Sequence, residues 1–200
     1  MSSKVFFESE GVLQEYVVLD CVYEPAEDSY LLLESVLKEN VKGKKALEVG
    51  SGCGLIAVEL ALRGADVTAV DVNPVAVENT LINAVKHGVR VIAFESNLFE
   101  KVRGKYDLIV FNPPYVPTEK NEKKDLLSLS WDGGVDGSAV IRKFLSKFKG
   151  FLAGNGKCFL LVSSKNNIKE SLEEKGWREV GSKNLFFEKL FVMKYEKIKK

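Results

Sequence analysis

From Lys44 onward, the chain alternates between short apolar runs and longer stretches in which apolar positions recur every three or four residues. Short apolar runs bounded by turn residues indicate buried strands, and the longer spacing indicates helices that pack on one side. The short runs predict strands at Lys45 to Val49, Asp66 to Val70, Val89 to Phe94, Tyr106 to Phe111 and Lys157 to Val162. The longer stretches predict helices at Leu55 to Leu62, Pro74 to Lys86, Ser138 to Phe148 and Ile168 to Lys175. Alternating strands and helices predict a parallel sheet covered on both faces.

The end of the chain departs from this alternation. Two strand-like runs, Trp177 to Phe187 and Lys189 to Tyr195, follow each other with a tight connection, which predicts an antiparallel pair. Such a hairpin at the end of a parallel sheet is typical of the methyltransferase variant of the doubly wound α/β fold. We therefore expect a seven-stranded, mostly parallel, Rossmann-like class I methyltransferase sheet. The whole of 1–200 is expected to form one domain, with an N-terminal extension and helix in 1–43 and the core in 44–200.

Composition and charge narrow the possible functions. Positive and negative side chains nearly cancel over the 200 residues, leaving a formal net charge of +1, so the bulk charge does not favour nucleic-acid binding, although a local basic patch stays open. No apolar run approaches the roughly 20 residues of a membrane span, and the N-terminus lacks a signal-peptide layout, so we expect a cytoplasmic protein. Cys21, Cys53, Cys158 and the single histidine, His87, are too scattered for a metal site or disulfide framework.

An acidic segment precedes the first core strand. Pro25 and the acids Glu24, Glu27 and Asp28 suit a helix N-terminus, where negative charge meets the positive end of the helix dipole. Taken alone, this segment predicts a capped helix and no chemistry.

A glycine cluster, Gly50-Ser51-Gly52-Cys53-Gly54, follows the first core strand and precedes a helix. Glycines there allow a tight turn and a close approach of ligand to backbone. The spacing differs from the G-x-G-x-x-G of dinucleotide sites, so the ligand need not carry a phosphate. Glu48 and the backbone carbonyls can face an ammonium group, which suits a ligand with an amino-acid end. The alternative interpretation is a tight turn in which the glycines only avoid steric clashes and bind no ligand.

Polar residues after the next two strands extend this interpretation. Asp71 ends a strand about 20 residues beyond the first glycine, where an acid can accept hydrogen bonds from ribose hydroxyls. Asn97 follows the third strand and is placed to meet an adenine edge, with Leu98 packing on the ring. An amino acid, a ribose and an adenine together predict S-adenosylmethionine as the cofactor.

Asn112-Pro113-Pro114-Tyr115 follows the fourth strand, at the carboxyl end of the sheet where open α/β folds bind ligands. A planar nitrogen is a poor nucleophile because its lone pair is delocalised. The Asn112 side-chain oxygen and the Pro113 carbonyl can hold its N–H groups, the two prolines preorganise the loop, and Tyr115 offers a stacking surface. We therefore predict methyl transfer here, with Asn112 also lining the cofactor site and no general base needed before transfer. An ordinary turn is the alternative.

These motifs together resemble the HemK-related glutamine methyltransferases, in particular the short archaeal and eukaryotic release-factor branch. The resemblance covers nearly the whole chain. Its segments are Tyr23-Glu24-Pro25-Ala26-Glu27-Asp28, Glu48-Val49-Gly50-Ser51-Gly52, Asp71-Val72-Asn73-Pro74, Asn112-Pro113-Pro114-Tyr115 and Trp131-Asp132-Gly133-Gly134-Val135-Asp136-Gly137.

The resemblance implies transfer to the amide of the glutamine in the Gly-Gly-Gln loop of a class-1 translation release factor. It also implies a cofactor site lined by Ser29, Glu48, Gly50, Asp71, Asn97 and Leu98, to which the glycine loop adds Gly52. Asn97 departs from the acid often found at its position, and we expect weaker cofactor binding from the missing charge. Members of the branch need a small zinc-binding partner, and an apolar edge strand at Val89 to Phe94 is the expected pairing site. The alternative is an edge strand that Arg90 and nearby lysines protect from pairing with another chain.

Two other functions stay open at this point. Asn-Pro-Pro-Tyr also occurs in enzymes that methylate exocyclic amines of adenine or guanine, which hold the nucleic-acid backbone with basic side chains. The near-neutral charge and the absence of an added recognition domain disfavour direct nucleic-acid binding. The segment Val116 to Ser130 reads as a mobile loop over the substrate or as a surface connection. A non-catalytic cofactor-binding scaffold is the remaining alternative.

Overall fold

The computed structural model of the chain describes residues 2–9, 11–115, 134 and 137–198. The strands are β1 (Ser2–Ser9), β2 (Val12–Leu19), β3 (Lys45–Val49), β4 (Asp66–Asp71), β5 (Val91–Glu95), β6 (Tyr106–Phe111), β7 (Leu152–Ser163), β8 (Trp177–Asn184) and β9 (Lys189–Glu196). The α-helices are α1 (Glu27–Val36), α2 (Leu55–Leu62), α3 (Pro74–Lys86), α4 (Ala139–Lys147) and α5 (Lys169–Glu174).

Seven strands form one sheet in the order β5-β4-β3-β6-β7-β9-β8. The strands from β5 to β7 in this order are parallel, and β9 is antiparallel to both β7 and β8. This confirms the predicted fold class, including the C-terminal antiparallel pair. The chain runs outward from β3 to β5 on one side and from β6 to β7 on the other. The direction therefore reverses between β3 and β6, and in open α/β sheets such a reversal opens a crevice at the carboxyl ends of the strands.

Several elements begin or end where the sequence pattern predicts, namely β3, α2, α3 and β6. Others differ for local reasons. The third core strand, predicted at Val89 to Phe94, begins at Val91 because the Val89 N–H still donates to the Ala84 carbonyl, 3.0 Å away, at the end of α3. The strand predicted at Trp177 to Phe187 ends at Asn184 because the Leu185 N–H donates to the Glu188 carbonyl at 2.8 Å and closes a turn. β7 is longer than predicted and starts at Leu152.

The N-terminal extension contains an antiparallel hairpin, β1–β2, that the sequence analysis did not predict. Tyr16 and Val18 of this hairpin are buried among side chains of the helices on that face. Two amides of α3 complete the backbone hydrogen bonds of β2. Asn83 Oδ1 accepts from the Val17 N–H at 2.9 Å, and Asn79 Oδ1 accepts from the Leu19 N–H at 2.8 Å. The outer edge of the hairpin is thereby satisfied by side chains rather than by another strand.

Helix α1 begins two residues later than the proline suggests. Ala26 is its N-cap and Pro25 lies outside the helix, so the expectation that Pro25 sits at the helix start is wrong by two positions. Glu27 and Asp28 do lie in the first turn, as expected. This start directs Asp28 away from solvent and into the crevice, and Asp28 is only 3% exposed. Across the described residues, no helix is both long and apolar enough to cross a membrane.

Candidate active site

A cavity of about 380 Å³ opens at the carboxyl ends of the central strands, at the reversal between β3 and β6. Each residue that the sequence analysis assigned to cofactor binding or catalysis lies on its wall. They are Ser29, Glu48, Gly50, Gly52, Asp71, Asn97, Leu98, Asn112, Pro113, Pro114 and Tyr115. The fold thus gathers residues from five segments of the chain into one space. Their individual roles stay predictions.

The glycine loop after β3 forms one wall of the cavity. Gly50, Gly52 and Gly54 all have positive φ, at 69°, 54° and 83°. A Cβ on Gly54 would lie 2.8 Å from the Thr80 Cα, so this glycine is needed for packing of α2 against α3. At Gly52 the nearest atom would be 4.0 Å away, and the left-handed backbone alone favours glycine. The loop therefore contains a glycine that close packing requires, Gly54, and a glycine with open space around it, Gly52.

Glu48 and Asp71 are two of the three acidic side chains that line the cavity, and the third is Asp28. Glu48 is 3% exposed and its Oε2 accepts from the Ala57 N–H at 2.9 Å. Burial raises the pKa of Glu48 well above its ordinary value, and the nearby Asp71 raises it further. Burial also raises the pKa of Asp71, although hydrogen bonds from the backbone of Asn73 and Gly52, at 2.9 and 3.0 Å, oppose that rise. Carboxylates held in such surroundings favour a ligand that carries positive charge, and S-adenosylmethionine carries both an ammonium and a sulfonium group.

The turn after β5 forms the opposite wall. Asn97 is exposed there, and Leu98 has a φ of 52°, which is unusual for a residue with a side chain. The Ser96 hydroxyl holds this turn, donating to the Leu98 carbonyl at 3.0 Å and accepting from the Lys101 N–H at 3.1 Å. Because such backbone strain persists only where surroundings fix it, the turn is a preformed part of the cavity wall.

Asp28 also lines this cavity, although the sequence did not predict a role for it in the site. Its Oδ2 accepts from Asn112 Nδ2 at 3.1 Å, from the Tyr23 hydroxyl at 3.0 Å and from the Tyr115 hydroxyl at 3.3 Å. Its Oδ1 accepts from the Ser29 backbone N–H at 2.6 Å. The acidic segment was explained by helix capping, but one of its acids orients the Asn112 to Tyr115 loop instead. The signal for this role was the position of Asp28 directly before Ser29, which the resemblance placed at the cofactor.

Asn112 presents an acceptor with nothing bound to it. Its Nδ2 donates to the Asp28 carboxylate, which can only accept, so the amide orientation is set and Oδ1 points the other way. Among the described residues, Asn112 Oδ1 is the one buried side-chain oxygen or nitrogen without a hydrogen-bond partner. Buried polar atoms are nearly always paired in native proteins. An unpaired buried acceptor on a cavity wall therefore fits a ligand that brings an N–H group.

Hydrogen bonds hold Tyr115 at both its phenol hydroxyl and its backbone carbonyl. Burial, followed by the charge of Asp28, raises the pKa of Tyr115 far above its ordinary value, so the phenol remains a hydrogen-bond donor at neutral pH. Its backbone carbonyl accepts from Asn166 Nδ2 at 2.8 Å, and the same amide group also donates to the Gly137 carbonyl at 2.9 Å. Asn166 is 7% exposed and lies just after β7. No pattern in the sequence pointed to it, because it is brought to the loop only by the sheet.

The whole of the loop Val116 to Ser130 and most of Trp131 to Gly137 lie outside the described residues. Within the described residues, no group of three or more His, Cys, Asp or Glu side chains is placed to hold a metal ion. Cys21, Cys53 and Cys158 are free thiols, and burial raises the pKa of Cys53 to about 12. A thiol with so high a pKa is a poor nucleophile at neutral pH.

Comparison with known proteins agrees with this geometry. The model of the methyltransferase small domain family matches residues 24–129. A candidate protein N5-glutamine methyltransferase of Methanocaldococcus jannaschii is 44% identical over 155 residues, covering 76% of this chain and 78% of that protein. A release factor glutamine methyltransferase of Geobacter sulfurreducens is 38% identical over 134 residues, covering 62% of this chain and 46% of that protein.

A solved structure extends the match to the fold. The E. cuniculi Mtq2-Trm112 complex, described as responsible for the methylation of the translation termination factor eRF1, contains a chain that is 27% identical and has a TM-score of 0.71. The alignment covers 88% of this chain and 99% of that one. The chain therefore belongs to the protein N5-glutamine methyltransferase family, enzymes with the class I fold that depend on S-adenosylmethionine.

Proposed function

We propose that this protein transfers a methyl group from S-adenosylmethionine to the side-chain amide nitrogen of the glutamine in the Gly-Gly-Gln loop of a class-1 translation release factor. The family and the relatives named for this activity supply the substrate class. A cytoplasmic location accompanies the proposal, since translation factors work there.

The observation that carries the proposal is the buried, unpaired Oδ1 of Asn112. A glutamine amide has two N–H groups, and Asn112 Oδ1 together with the Pro113 carbonyl is the acceptor pair that we assign to them. Asp28 holds the other end of the Asn112 amide at 3.1 Å, so the acceptor is fixed before the substrate arrives. Preorganised acceptors stabilise developing positive charge without reorganisation during the reaction.

The reaction needs little acid–base chemistry from the protein. The cofactor, when bound, supplies an already activated methyl group on positively charged sulfur. The nitrogen lone pair forms the new N–C bond while the S–C bond breaks and its electron pair stays on sulfur. Positive charge therefore moves toward nitrogen, where the Asn112 and Pro113 oxygens attract it more strongly than in the ground state. The extra proton then leaves nitrogen for water.

For the cofactor, we assign Glu48 to the ammonium group, Asp71 to the ribose hydroxyls, and Asn97 with Leu98 to the adenine. Ser29, Gly50 and Gly52 line the remaining wall. Each assignment rests on the position of the residue in one cavity and on its chemistry. The buried Glu48 matches the charged end of the cofactor, and the exposed turn after β5 matches the base.

Mass spectrometry tests the proposed reaction. A release factor incubated with this protein, S-adenosylmethionine and the partner proposed below should gain one methyl group on the Gly-Gly-Gln glutamine. Asn112→Ala should slow the gain by about a hundredfold or more, because the protein loses one preorganised acceptor that stabilises the transition state. Asn155→Ala, at an exposed asparagine of β7, is the matched control and should retain activity. Methyl transfer to RNA or DNA instead of the release factor, or cofactor binding without any transfer, would contradict the proposal.

We also propose that a small zinc-binding protein pairs with the edge strand β5. β5 occupies one end of the sheet, so one of its sides lacks a neighbouring strand among the described residues. Ile92 of β5 is 46% exposed, and Val85 of the adjacent helix α3 is 80% exposed. An open strand edge beside apolar side chains is a surface on which another chain can add a strand.

Substitution of this edge tests the partner proposal. Ile92→Lys should weaken copurification with the zinc-binding partner and lower methylation activity, because a charge is placed in the buried part of the interface. Leu13→Lys, at an exposed position of the N-terminal hairpin, is the control. Light scattering that shows a stable, fully active monomer without a partner would contradict the proposal.

A further inference from the structure

The turn between β8 and β9 displays two adjacent phenylalanines to solvent. Phe186 is 100% exposed and Phe187 is 90% exposed, whereas no other phenylalanine of the described residues exceeds 52%. Their ring centroids lie 6.4 Å apart, so they form one aromatic surface, which we call the aromatic tip. Exposed aromatic pairs of this kind are enriched at protein–protein interfaces and rare on surfaces that contact only water.

The aromatic tip lies at the same edge of the sheet as the candidate active site. β9 is antiparallel to β7, and Leu190 near its start pairs with Ser163 at the carboxyl end of β7. The turn before β9 therefore projects from the carboxyl edge, where Asn112 follows β6. β9 is two strands from β6 in the sheet, which is roughly 10 Å at the usual strand spacing.

A chain of hydrogen bonds connects the tip to the transfer loop. Glu188, next to Phe187, accepts from the Ser163 hydroxyl. The Ser163 backbone N–H donates to Asn166 Oδ1 at 3.0 Å, and Asn166 Nδ2 donates to the Tyr115 carbonyl at 2.8 Å. The tip therefore has a fixed position relative to Asn112, as a surface that aligns a substrate must have.

The substrate of the proposed reaction must cover this edge. Its glutamine has to enter the cavity far enough to reach Asn112 Oδ1, so the folded protein that carries the glutamine lies against the rim around it. A loop and its flanking structure extend well beyond 10 Å, since each extended residue spans up to about 3.6 Å. The tip is therefore within the footprint of a protein substrate, and neither of its phenylalanines lines the cavity.

We propose that Phe186 and Phe187 form a docking contact for the release factor, outside the transfer site, and that they set the affinity for the protein substrate. The inference rests on the proposed function. Aromatic side chains that are exposed in the free protein and buried in the complex account for a large share of binding energy at interfaces. The tip would then raise the occupancy of the site without taking part in methyl transfer.

Steady-state methylation of the release factor, at saturating S-adenosylmethionine and with the partner present, tests this proposal. Phe186→Ser combined with Phe187→Ser should raise KM for the release factor by about tenfold or more, because the docking contact is lost. The kcat value should stay within about twofold, and the Kd for S-adenosylmethionine should not change. Val12→Ser combined with Leu13→Ser, an exposed apolar pair next to the other hairpin turn, is the matched control and should leave KM unchanged.

The outcomes separate this proposal from the one on which it rests. An unchanged KM in the double variant overturns the docking role while the proposed function stands. A fall in kcat at unchanged KM does the same, because it shows that the tip supports the loop and not the substrate. Light scattering in which wild type self-associates through the tip, with KM unaffected by its removal, identifies a second copy as the occupant and overturns the proposal. A wild-type protein that methylates no release factor removes the proposed function itself.

Discussion

At the scale of single residues, Asp28 determines the shape of the transfer site. One of its oxygens accepts from Asn112, Tyr23 and Tyr115, at 3.1, 3.0 and 3.3 Å, so three groups of the cavity wall depend on one buried carboxylate. Without it, Asn112 would be free to flip its amide and present a donor to the substrate. Since a donor facing an N–H group repels it, the correct flip is a condition of the proposed chemistry.

We predict that Asp28→Ala lowers kcat for release-factor methylation by about a hundredfold, because Asn112 loses its fixed orientation. The Kd for S-adenosylmethionine, measured by calorimetry, should change much less. Glu34→Ala, at an exposed acid of the same helix, is the control for a change in helix charge. A variant whose loss of activity is fully restored by saturating cofactor would show that Asp28 acts on cofactor binding and not on the loop.

Asn97 is the second residue with a specific expectation. Its exposed amide lies on the cavity wall, and an amide oxygen would accept from the adenine amino group without a charge. We predict that Asn97→Asp lowers the Kd for S-adenosylmethionine by about threefold to tenfold, the gain of a charge-assisted hydrogen bond at an exposed site. Calorimetric titration measures it, and a Kd that does not improve would count against the assignment of Asn97 to adenine.

The sequence predicted the site residues that lie at the ends of strands. It did not predict the site residues that other parts of the chain bring to the cavity. Glu48, Asp71 and Asn112 each lie at or just beyond the end of a predicted strand, and parallel strands bring such ends together. Asp28 was missed because helix capping already explained an acid in that position. Asn166 was missed because its contact with Tyr115 spans 51 residues and depends on the pairing of β6 with β7.

At the scale of elements, the short helical turn after β7 acts as a clamp on the transfer loop. Asn166 donates to the carbonyls of Tyr115 and Gly137, which lie on either side of the segment outside the described residues. Gly137 has a φ of 66°, and a Cβ there would come within 2.4 Å of the Tyr115 oxygen. The Gly137 backbone is thus packed against the Tyr115 backbone and the Asn166 side chain as closely as glycine allows.

We predict that Asn166→Ala lowers kcat by about tenfold or more with little change in KM, because the loop that carries Asn112 and Tyr115 loses its fixed end. Because a loss of folded protein would also lower the apparent kcat at unchanged KM, the rate is normalised to the fraction of folded enzyme. Thermal unfolding of the same sample measures any loss of stability separately. Asn167→Gly changes the neighbouring exposed asparagine, whose left-handed backbone (φ 49°) suits glycine, and serves as the comparison. Equal effects of the two substitutions would argue against a specific clamp.

The elements themselves were predictable where one periodicity dominated. β3, α2, α3 and β6 have the bounds that the pattern gave, since each is bordered by glycine, proline or polar residues. The β1–β2 hairpin was not predicted because it lies beside α3. The backbone N–H groups of β2 donate there to the side chains of Asn79 and Asn83 and not to another strand. A contact of that kind joins residues 60 or more positions apart and leaves no local pattern.

At the scale of the whole molecule, two of the surfaces that expose apolar side chains are those that we propose to bind other proteins, while a third, with Phe6, Val12 and Leu13, lies on the N-terminal hairpin. The two proposed surfaces are the edge formed by β5 and α3 and the aromatic tip at the rim of the cavity. A net charge of +1 does not favour nucleic acid as a partner, which is consistent with recognition through these apolar contacts. The division into a single domain, 1–200, stays a prediction.

The burial of Glu48 in the cavity also lowers the stability of the whole folded protein as pH rises. Glu48 is buried with a pKa well above its ordinary value of 4.5. A carboxyl whose pKa is raised by folding binds its proton more tightly in the folded state, so stability falls as pH rises from about 4.5 through the folded pKa. The slope from one such group reaches at most about 1.4 kcal/mol per pH unit. A bound ligand with positive charge offsets this penalty by stabilising the ionised form.

We predict that Glu48→Gln makes the cofactor-free protein more stable than wild type at pH 8 and nearly equal to it at pH 4.5, because the amide keeps an oxygen for the Ala57 N–H but carries no buried charge. Urea unfolding at the two pH values measures this difference. Saturating S-adenosylmethionine should reverse the order at pH 8, since wild type binds the cofactor more tightly and ligand binding adds stability in proportion to the logarithm of that affinity. If instead Glu48→Gln destabilises the protein equally at both pH values, Glu48 serves packing alone, and the assignment of its carboxylate to the ammonium group fails.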